Sequence, residues 1–548
     1  MTAEQPDATL YDYLIQSCEA GSSDTALVYF GRKVTFGDFI AEIDASAKAL
    51  WAQGVRRGDV VTIVSLATPE TYALVYAASR IGAMVNMEYA TVAPAVLAES
   101  LRKTGSKMLL VLDLFTEEFK KELATDGVVS VILPIGRSMG PLMRVGALLR
   151  RKPRGNLCAL SYQDFLRAGR ATSIIEAHEG GLALALLSTS GTTGEPKKVV
   201  LSSNAVNSIA WQYRYCGMDF KSGDTYLSTT PPFLSFGMVL SMHVPLCLGV
   251  VNYLAPDPSV DAVARLYLKV KPQHCVKAPA YLEAIVDAFS RNRMDLSFIK
   301  TLAVGGESLQ PGRREEIDDF LFRRGARVGV VHGYGMTEVS SSAVTEVPGR
   351  QRRGSVGIPL CGVNVKVVDG EKGCELGYGR VGELWINSPG AMMGYFENET
   401  ATRDALHTDE DGAVWVRTGD LASIDEDGFV FLCGRIKRIA MVIDPVTKQV
   451  EKVFPEQIEN ELSKLPGITA CAVVVPMGNN RLGMPYAFVV PAKTSHFDKD
   501  AVGEALRRVL PVHSCPVDYF LVEEIPLLSS GKVDYRALEE RIRGSVTS

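Results

Sequence analysis

The chain has 548 residues, more than one compact hydrophobic core sustains, so two or more domains are expected. Its 47% hydrophobic and 22% charged residues are a globular balance, and a formal net charge of -5 lacks the basic footprint of a nucleic-acid binder. Ten cysteines without a CxxC pair and seven histidines without HxxxH spacing exclude a disulfide framework and a zinc site, as in a reduced, cytoplasmic enzyme.

The first residues show no basic stretch followed by an apolar run, so no signal peptide is expected. Residues 8–180 alternate between helix and strand patterns. A helix opens at Lys33-Val34-Thr35-Phe36 and repeats its apolar positions at Phe39, Ile43, Ala47 and Leu50. Gly58-Asp59 turns into a strand over 60–64; a second apolar helix spans 71–81 and another strand 108–112. Such alternation argues for a largely parallel sheet covered on both faces. Residues 137–154 break the pattern, mixing Leu and Met with Arg137, Arg144, Arg150, Arg151, Lys152 and Arg154. A basic amphipathic segment of this kind suits either peripheral contact with an anionic membrane or a solvated surface insertion.

Residues 182–187 form an apolar run of buried-strand length, which empties into Ser188-Thr189-Ser190-Gly191-Thr192-Thr193-Gly194. Gly191 and Gly194 let backbone N–H groups approach an anion with no Cβ in the way, and Lys197 and Lys198 add positive charge. That chemistry holds polyphosphate. It is not the usual NTPase loop, because two residues rather than four separate the glycines and the Gly-Lys-Ser/Thr ending is missing. The alternation resumes with strands near 225–228, 249–254, 300–304 and 327–332. Residues 225–256 contain no Asp, Glu, Lys or Arg, but Pro231, Pro232 and Pro245 interrupt them. A buried helix and strand lining an apolar cavity is therefore expected there, and no transmembrane segment. From 355 to 433, short strands split by glycines predict a small β-rich subdomain, a distorted barrel. After Gly434 a separate unit carries an amphipathic helix presenting Ile458, Leu462 and Leu465, strands at 472–475 and 487–490, and a helix over 500–510.

The string SGTTGEPK, residues 190–197, resembles the phosphate loop of the acyl-adenylate-forming superfamily: acyl-CoA synthetases, peptide-synthetase adenylation domains and firefly luciferase. Five further strings match that family in order. The resemblance implies that Thr189, Ser190, Gly191, Thr192, Thr193, Gly194 and Lys197 hold phosphates, while Gly305, Gly306 and Glu307 face the adenine base. In His332-Gly333-Tyr334-Gly335-Met336-Thr337-Glu338 it implies a Tyr334 ring against adenine between Gly333 and Gly335. Thr337 would then reach the α-phosphate, and Glu338 would bind Mg²⁺. Asp420, in Arg417-Thr418-Gly419-Asp420, would hold the ribose hydroxyls, with Arg435 on ribose or phosphate. Lys532, in Ser529-Ser530-Gly531-Lys532-Val533, would bridge the acyl carboxylate and the α-phosphate. The implied fold is α/β, a large N-terminal region of α/β/α layers plus a small distorted β-barrel over 1–434. A small mobile α+β C-terminal domain follows over 435–548, hinged near Lys437-Arg438.

The chain departs from the family in two places. Pro455-Glu456-Gln457-Ile458-Glu459 matches, but the hairpin before it is longer, lacks the expected glycine and turns at Asp444-Pro445. In the family this hairpin borders the pantetheine tunnel. In the acyl pocket, Pro232-Phe233 is followed by Leu234-Ser235-Phe236-Gly237, with no Asp to hold an α-amino group. The charge-free walls favour an apolar acyl or aryl acid. The expected activity is ATP-dependent conversion of a small-molecule carboxylic acid to acyl-AMP and then acyl-CoA, using ATP, Mg²⁺ and CoA. The alternatives are a stand-alone adenylating enzyme that loads the phosphopantetheine of an acyl carrier protein, and a non-catalytic nucleotide- or acyl-binding regulator. Intact Glu338, Asp420, Arg435 and Lys532 argue against the regulator.

Overall fold

The apolar runs of the first half become the inner strands of two large sheets. The computed structural model describes residues 7–140, 143, 158–189, 197–255, 257, 259–306, 309, 311–476, 482–492, 497–527 and 533–546. Among these, one sheet has eight strands, ordered Gly394–Tyr395, Lys198–Ser202, Ala183–Ser188, Met84–Glu88, Val60–Val64, Met108–Leu112, Val129–Leu133 and Leu160–Ser161. From Ala183–Ser188 onward every neighbouring pair is parallel. Val60–Val64 and Met108–Leu112 are buried at every position, the pattern of strands covered on both faces.

The second sheet has nine strands, ordered Ile358–Pro359, Val344–Thr345, Val330–Tyr334, Thr301–Val304, His274–Lys277, Thr225–Ser228, Val251–Leu254, Thr25–Tyr29 and Arg32–Thr35. Its interior is parallel and its margins antiparallel. The strand expected over 327–332 begins later and runs on to Tyr334. The short strand Val344–Thr345 pairs with Gly333 and Tyr334 and keeps them extended.

Helices fill the faces. Phe36–Ala52 starts where expected because Thr35 accepts the N–H of Asp38, and it buries Phe39, Ile43, Ala47 and Leu50. Pro69–Arg80 opens at its proline behind a Thr68 cap, two residues before the apolar pattern predicted, since proline suits the first helical turn.

The charge-free stretch gives the strands Thr225–Ser228 and Val251–Leu254 with a helix between them. That helix is wound wide, as a π-helix over Phe236–His243 that continues as Val244–Cys247. Pro245 has no N–H to offer the carbonyl of Ser241, which instead accepts from Ser228 Oγ at 3.0 Å, while Asn252 Nδ2 serves Met242 O at 3.3 Å. Gly237 is required here: a Cβ would lie 1.9 Å from the carbonyl oxygen of Pro231. No helix among the described residues is long and apolar enough to cross a membrane.

The β-rich segment forms a five-stranded sheet around the long strand Val414–Ile424, which pairs with Gly382–Asn387, Leu406–Thr408 and Val430–Arg435. Beyond residue 439 two three-stranded sheets and the helices Pro455–Ser463, Lys499–Arg507 and Tyr535–Val546 build their own cores. Of the basic segment, Arg144, Arg150, Arg151, Lys152 and Arg154 lie outside the described residues. Arg137 grips Glu42 at 2.6 and 2.9 Å, a structural use of its charge.

Candidate active site

Both large sheets, the small sheet and the C-terminal unit contribute to one cavity of about 890 Å³. Its position outside the carboxyl ends of parallel strands is where α/β sheets accept ligands. Thr189, Gly305, Gly306, Gly333, Tyr334, Gly335, Thr337, Asp420 and Arg435 all line it. Ser190, Gly191, Thr192, Thr193, Gly194, Glu307 and Lys532 lie outside the described residues. Val533, next in sequence to Lys532, is on the cavity wall.

At one end stands a Tyr334–Asp420–Arg435 cluster. Against Glu383 and Trp385, the long strand holds Leu421 and Arg417, so Thr418, Gly419 and Asp420 bulge out of the ladder. Gly419 takes the left-handed φ of +69° that this bulge needs. Asp420 then accepts from the Tyr334 hydroxyl at 2.6 Å. Burial, and next the Asp420 charge, push that hydroxyl well above the usual phenol range. Arg435 sits opposite Asp420 in the neighbouring strand, with Nε 2.8 Å from Oδ1. The approach lacks hydrogen-bond alignment, so Oδ1 is buried with no donor among the described residues.

The second cluster ties Glu338 to Lys197. Thr337–Val339 is a single 3₁₀ turn followed by Ser340 and Ser341 at φ +55° and +89°. The fold of this turn brings the carbonyl oxygen of Ser341 to within 2.1 Å of where a Cβ on Gly335 would stand, which demands the glycine. Glu338 is buried, and Tyr395 donates its hydroxyl to Oε1 at 2.8 Å. Tyr395 belongs to a strand paired with Lys198–Ser202, and its ring lies 4.7 Å beneath Lys197 Nζ. Lys197 and Glu338 are thus joined through one tyrosine. Thr337 Oγ1 meets Ser235 Oγ at 3.3 Å.

A Mg²⁺ ion fits this donor set. No group of three or more metal-ligating side chains gathers among the described residues. Magnesium commonly takes one or two carboxylates and completes its shell with water and substrate phosphates, so Glu338 alone suffices.

Lys198 does not share the role of its neighbour. Its ammonium lies 2.6 Å from Glu88 and 2.8 Å from Asn86, inside a buried network that Ser100 also joins. Removing one partner of such a pair leaves the other charge unpaired. Lys198→Met is therefore expected to cost about 3 kcal/mol of stability, seen as a lower denaturant midpoint. Adding Glu88→Gln should restore much of that loss, as a double-mutant cycle would show.

Phe233, Phe236 and Leu240 supply the apolar end of the cavity. His243, the histidine of the charge-free stretch, is buried against Tyr76, and burial pushes its imidazole down to about 3. Lys277 also lines this cavity, from the end of its strand. The sequence reading missed Tyr395 and Lys277. A lone Gly-Tyr and a strand-terminal lysine before Ala-Pro were the available signals.

The expected hinge is a 3₁₀ turn, Ile436–Arg438, between Arg435 and the C-terminal unit. Arg438 pairs with Glu456 at 2.9 Å and Glu459 at 2.8 Å, and stacks 3.9 Å from the centre of the Tyr535 ring. The long hairpin, Ala440–Ile443 with Val450–Val453, turns without glycine because Asp444 Oδ1 accepts from Val446 N and Thr447 N at 2.8 Å. Lys448 takes the left-handed φ of 62°. Hydrogen bonds from the Thr447 N–H, His513 and the Val446 N–H hold the Asp444 carboxyl down to about 2.

Residues 14–396 match the family described as AMP-binding enzyme, and residues 457–532 match the AMP-binding enzyme C-terminal domain. Among curated proteins, "4-coumarate--CoA ligase-like 8" of Arabidopsis thaliana is 28% identical, over 91% of this chain and 86% of its own. "Putative acyl--CoA ligase YdaB" of Bacillus subtilis is 26% identical, over 91% and 92%. Among solved structures, ATP-bound MatB from Rhodopseudomonas palustris shares the fold at a TM-score of 0.82 and 22% identity, covering 98% of this chain and 99% of that one. The anthranilate CoA ligase AuaEII in complex with anthranoyl-AMP gives 0.82 and 21%, covering 99% and 98%.

Proposed function

The chain belongs to the AMP-binding enzyme family and is an AMP-forming acid–thiol ligase, and from that premise we propose that it activates an acid with an apolar acyl or aryl body and passes it to CoA. The observation that carries the reading is Oδ1 of Asp420, buried beside Tyr334 with no aligned donor among the described residues, set in the same cavity as the apolar walls. Nucleotide and acid would then lie side by side.

In the first half-reaction a carboxylate oxygen of the acid attacks the α-phosphorus of ATP, the bond to pyrophosphate breaks, and acyl-AMP remains. The chain's own groups position the reactants and offset charge. Asp420 and Tyr334 orient the nucleoside, Arg435 balances negative charge, and the Thr337 hydroxyl faces the α-phosphate. Glu338, held by Tyr395, would bind Mg²⁺, which neutralises charge on the phosphate oxygens. Lys532 would bridge the acid carboxylate and the α-phosphate. In the second half-reaction the CoA thiolate attacks the acyl carbon and AMP leaves. Residues 1–434 would form the adenylation domain and 435–548 a mobile domain turning at Lys437-Arg438, with the Asp444 hairpin beside the incoming pantetheine.

The test is pyrophosphate release across a panel of carboxylic acids, with CoA present and absent. Acid-dependent pyrophosphate followed by CoA-dependent AMP and acyl-CoA is the expected result. Thioester formed only on a holo carrier protein would replace CoA by that acceptor. For the metal, Glu338→Gln should raise the Mg²⁺ needed for half-maximal adenylation about tenfold, since the amide keeps the shape and loses the anion that a hard cation prefers. An unchanged Mg²⁺ titration would place the ion elsewhere.

A further inference from the structure

Lys277 ends the strand His274–Lys277, in the interior of the nine-stranded sheet. Its side chain lines the cavity and is 2% exposed. The Thr230 hydroxyl, at 3.4 Å, is its one polar side-chain partner among the described residues, and no carboxylate there pairs with it. The cavity's acidic groups are engaged elsewhere: Asp420 with Tyr334, Glu456 and Glu459 with Arg438, Asp318 with the Val330 N–H, and Glu315 with Arg353. Burial lowers the pKa of the Lys277 ammonium. A chain that needed only apolar contacts here would gain by an apolar side chain, because an ammonium taken from water with no anion beside it is destabilising.

We propose that Lys277 determines acid specificity, and that the acid activated carries a second carboxylate on its apolar tail, received by the Lys277 ammonium and the Thr230 hydroxyl. The proposal rests on the acyl-adenylate reading of the cavity and adds the substrate class. The bound carboxylate restores the missing counter-charge. An acid of the same shape without that charge leaves the ammonium buried and unpaired, which is how a polar site rejects an apolar analogue.

The test uses four acyl-sulfamoyl adenosine probes, which mimic acyl-AMP and cannot turn over. Two have a six-carbon aliphatic spacer and two a phenyl spacer, and each pair ends in a carboxylate or in its shape match, an isopropyl group. Calorimetry is run on the full chain, as parent, Lys277→Met and Thr230→Val, with a melting curve for each. The parent should bind the carboxylate-ended probe at least about tenfold tighter in one pair, and Lys277→Met should lose about 10²-fold for it while binding the isopropyl probe as well or better. Thr230→Val should narrow the preference while leaving the lysine in place, which keeps the question answerable if Lys277→Met fails to fold. Equal or tighter parent binding of the isopropyl member in both pairs overturns the proposal. So does a Lys277→Met that weakens both members alike, the mark of a lysine serving the reacting carboxylate or the phosphate. A parent that binds none of the four overturns the adenylate reading itself.

Discussion

Lys532→Ala should bind ATP as the parent does and release pyrophosphate about 10²–10³-fold more slowly, the usual loss when one preorganised charge leaves a reacting centre. The expectation starts from the SSGK string and from what surrounds it. The bridge Leu527–Val533 flanks the string, Val533 reaches the cavity wall, and Tyr535 stacks under Arg438. The C-terminal unit thus brings Val533 and Tyr535 to the cavity. Single-turnover pyrophosphate release, with ATP binding measured separately, checks it. A variant within a few-fold of the parent would remove Lys532 from the reaction.

Asp420→Ala has the second large effect, this time on ATP binding. The substitution removes the open Oδ1 and also strands the Tyr334 hydroxyl and the Arg435 guanidinium, both of which lean on this carboxylate. Losing a ligand hydrogen bond to a charged group costs about 1.5–3 kcal/mol, so the KM for ATP should rise about ten- to 10²-fold. Asp420→Asn, which keeps one carbonyl acceptor, should fall between. If Asp420→Ala lowers the melting temperature while the KM for ATP stays put, Asp420 is a strut for its neighbours and touches no nucleotide.

Much of this site could be read along the chain because each motif carries its own geometry. Gly419 must bulge and Gly335 must pass close to the Ser341 backbone, so the glycines mark their places whatever folds around them. The runs 60–64 and 108–112 are apolar at nearly every position because both faces of a parallel sheet are covered. Segment ends were less legible. Where Val330–Tyr334 stops depends on pairing with Val344–Thr345, a partner ten residues away that no local preference specifies.

The sequence by itself determined the family, the alternation of strands and helices, and several residues that gather in one cavity, among them Gly305, Tyr334, Asp420 and Arg435. Only the tertiary structure decided how four charged groups are used. Lys197 and Lys198 are indistinguishable as letters, yet neighbours on an extended chain point to opposite faces. Lys198 is therefore drawn to buried Glu88, and Lys197 is left over the Tyr395 ring. Glu338 is steadied by Tyr395, which comes from a strand added at the edge of the other sheet. Lys277, at the end of a four-residue strand, would be solvated at a sheet edge. Parallel neighbours on both sides of that strand put it instead in the wall of the cavity, where its charge calls for an anion from outside the chain.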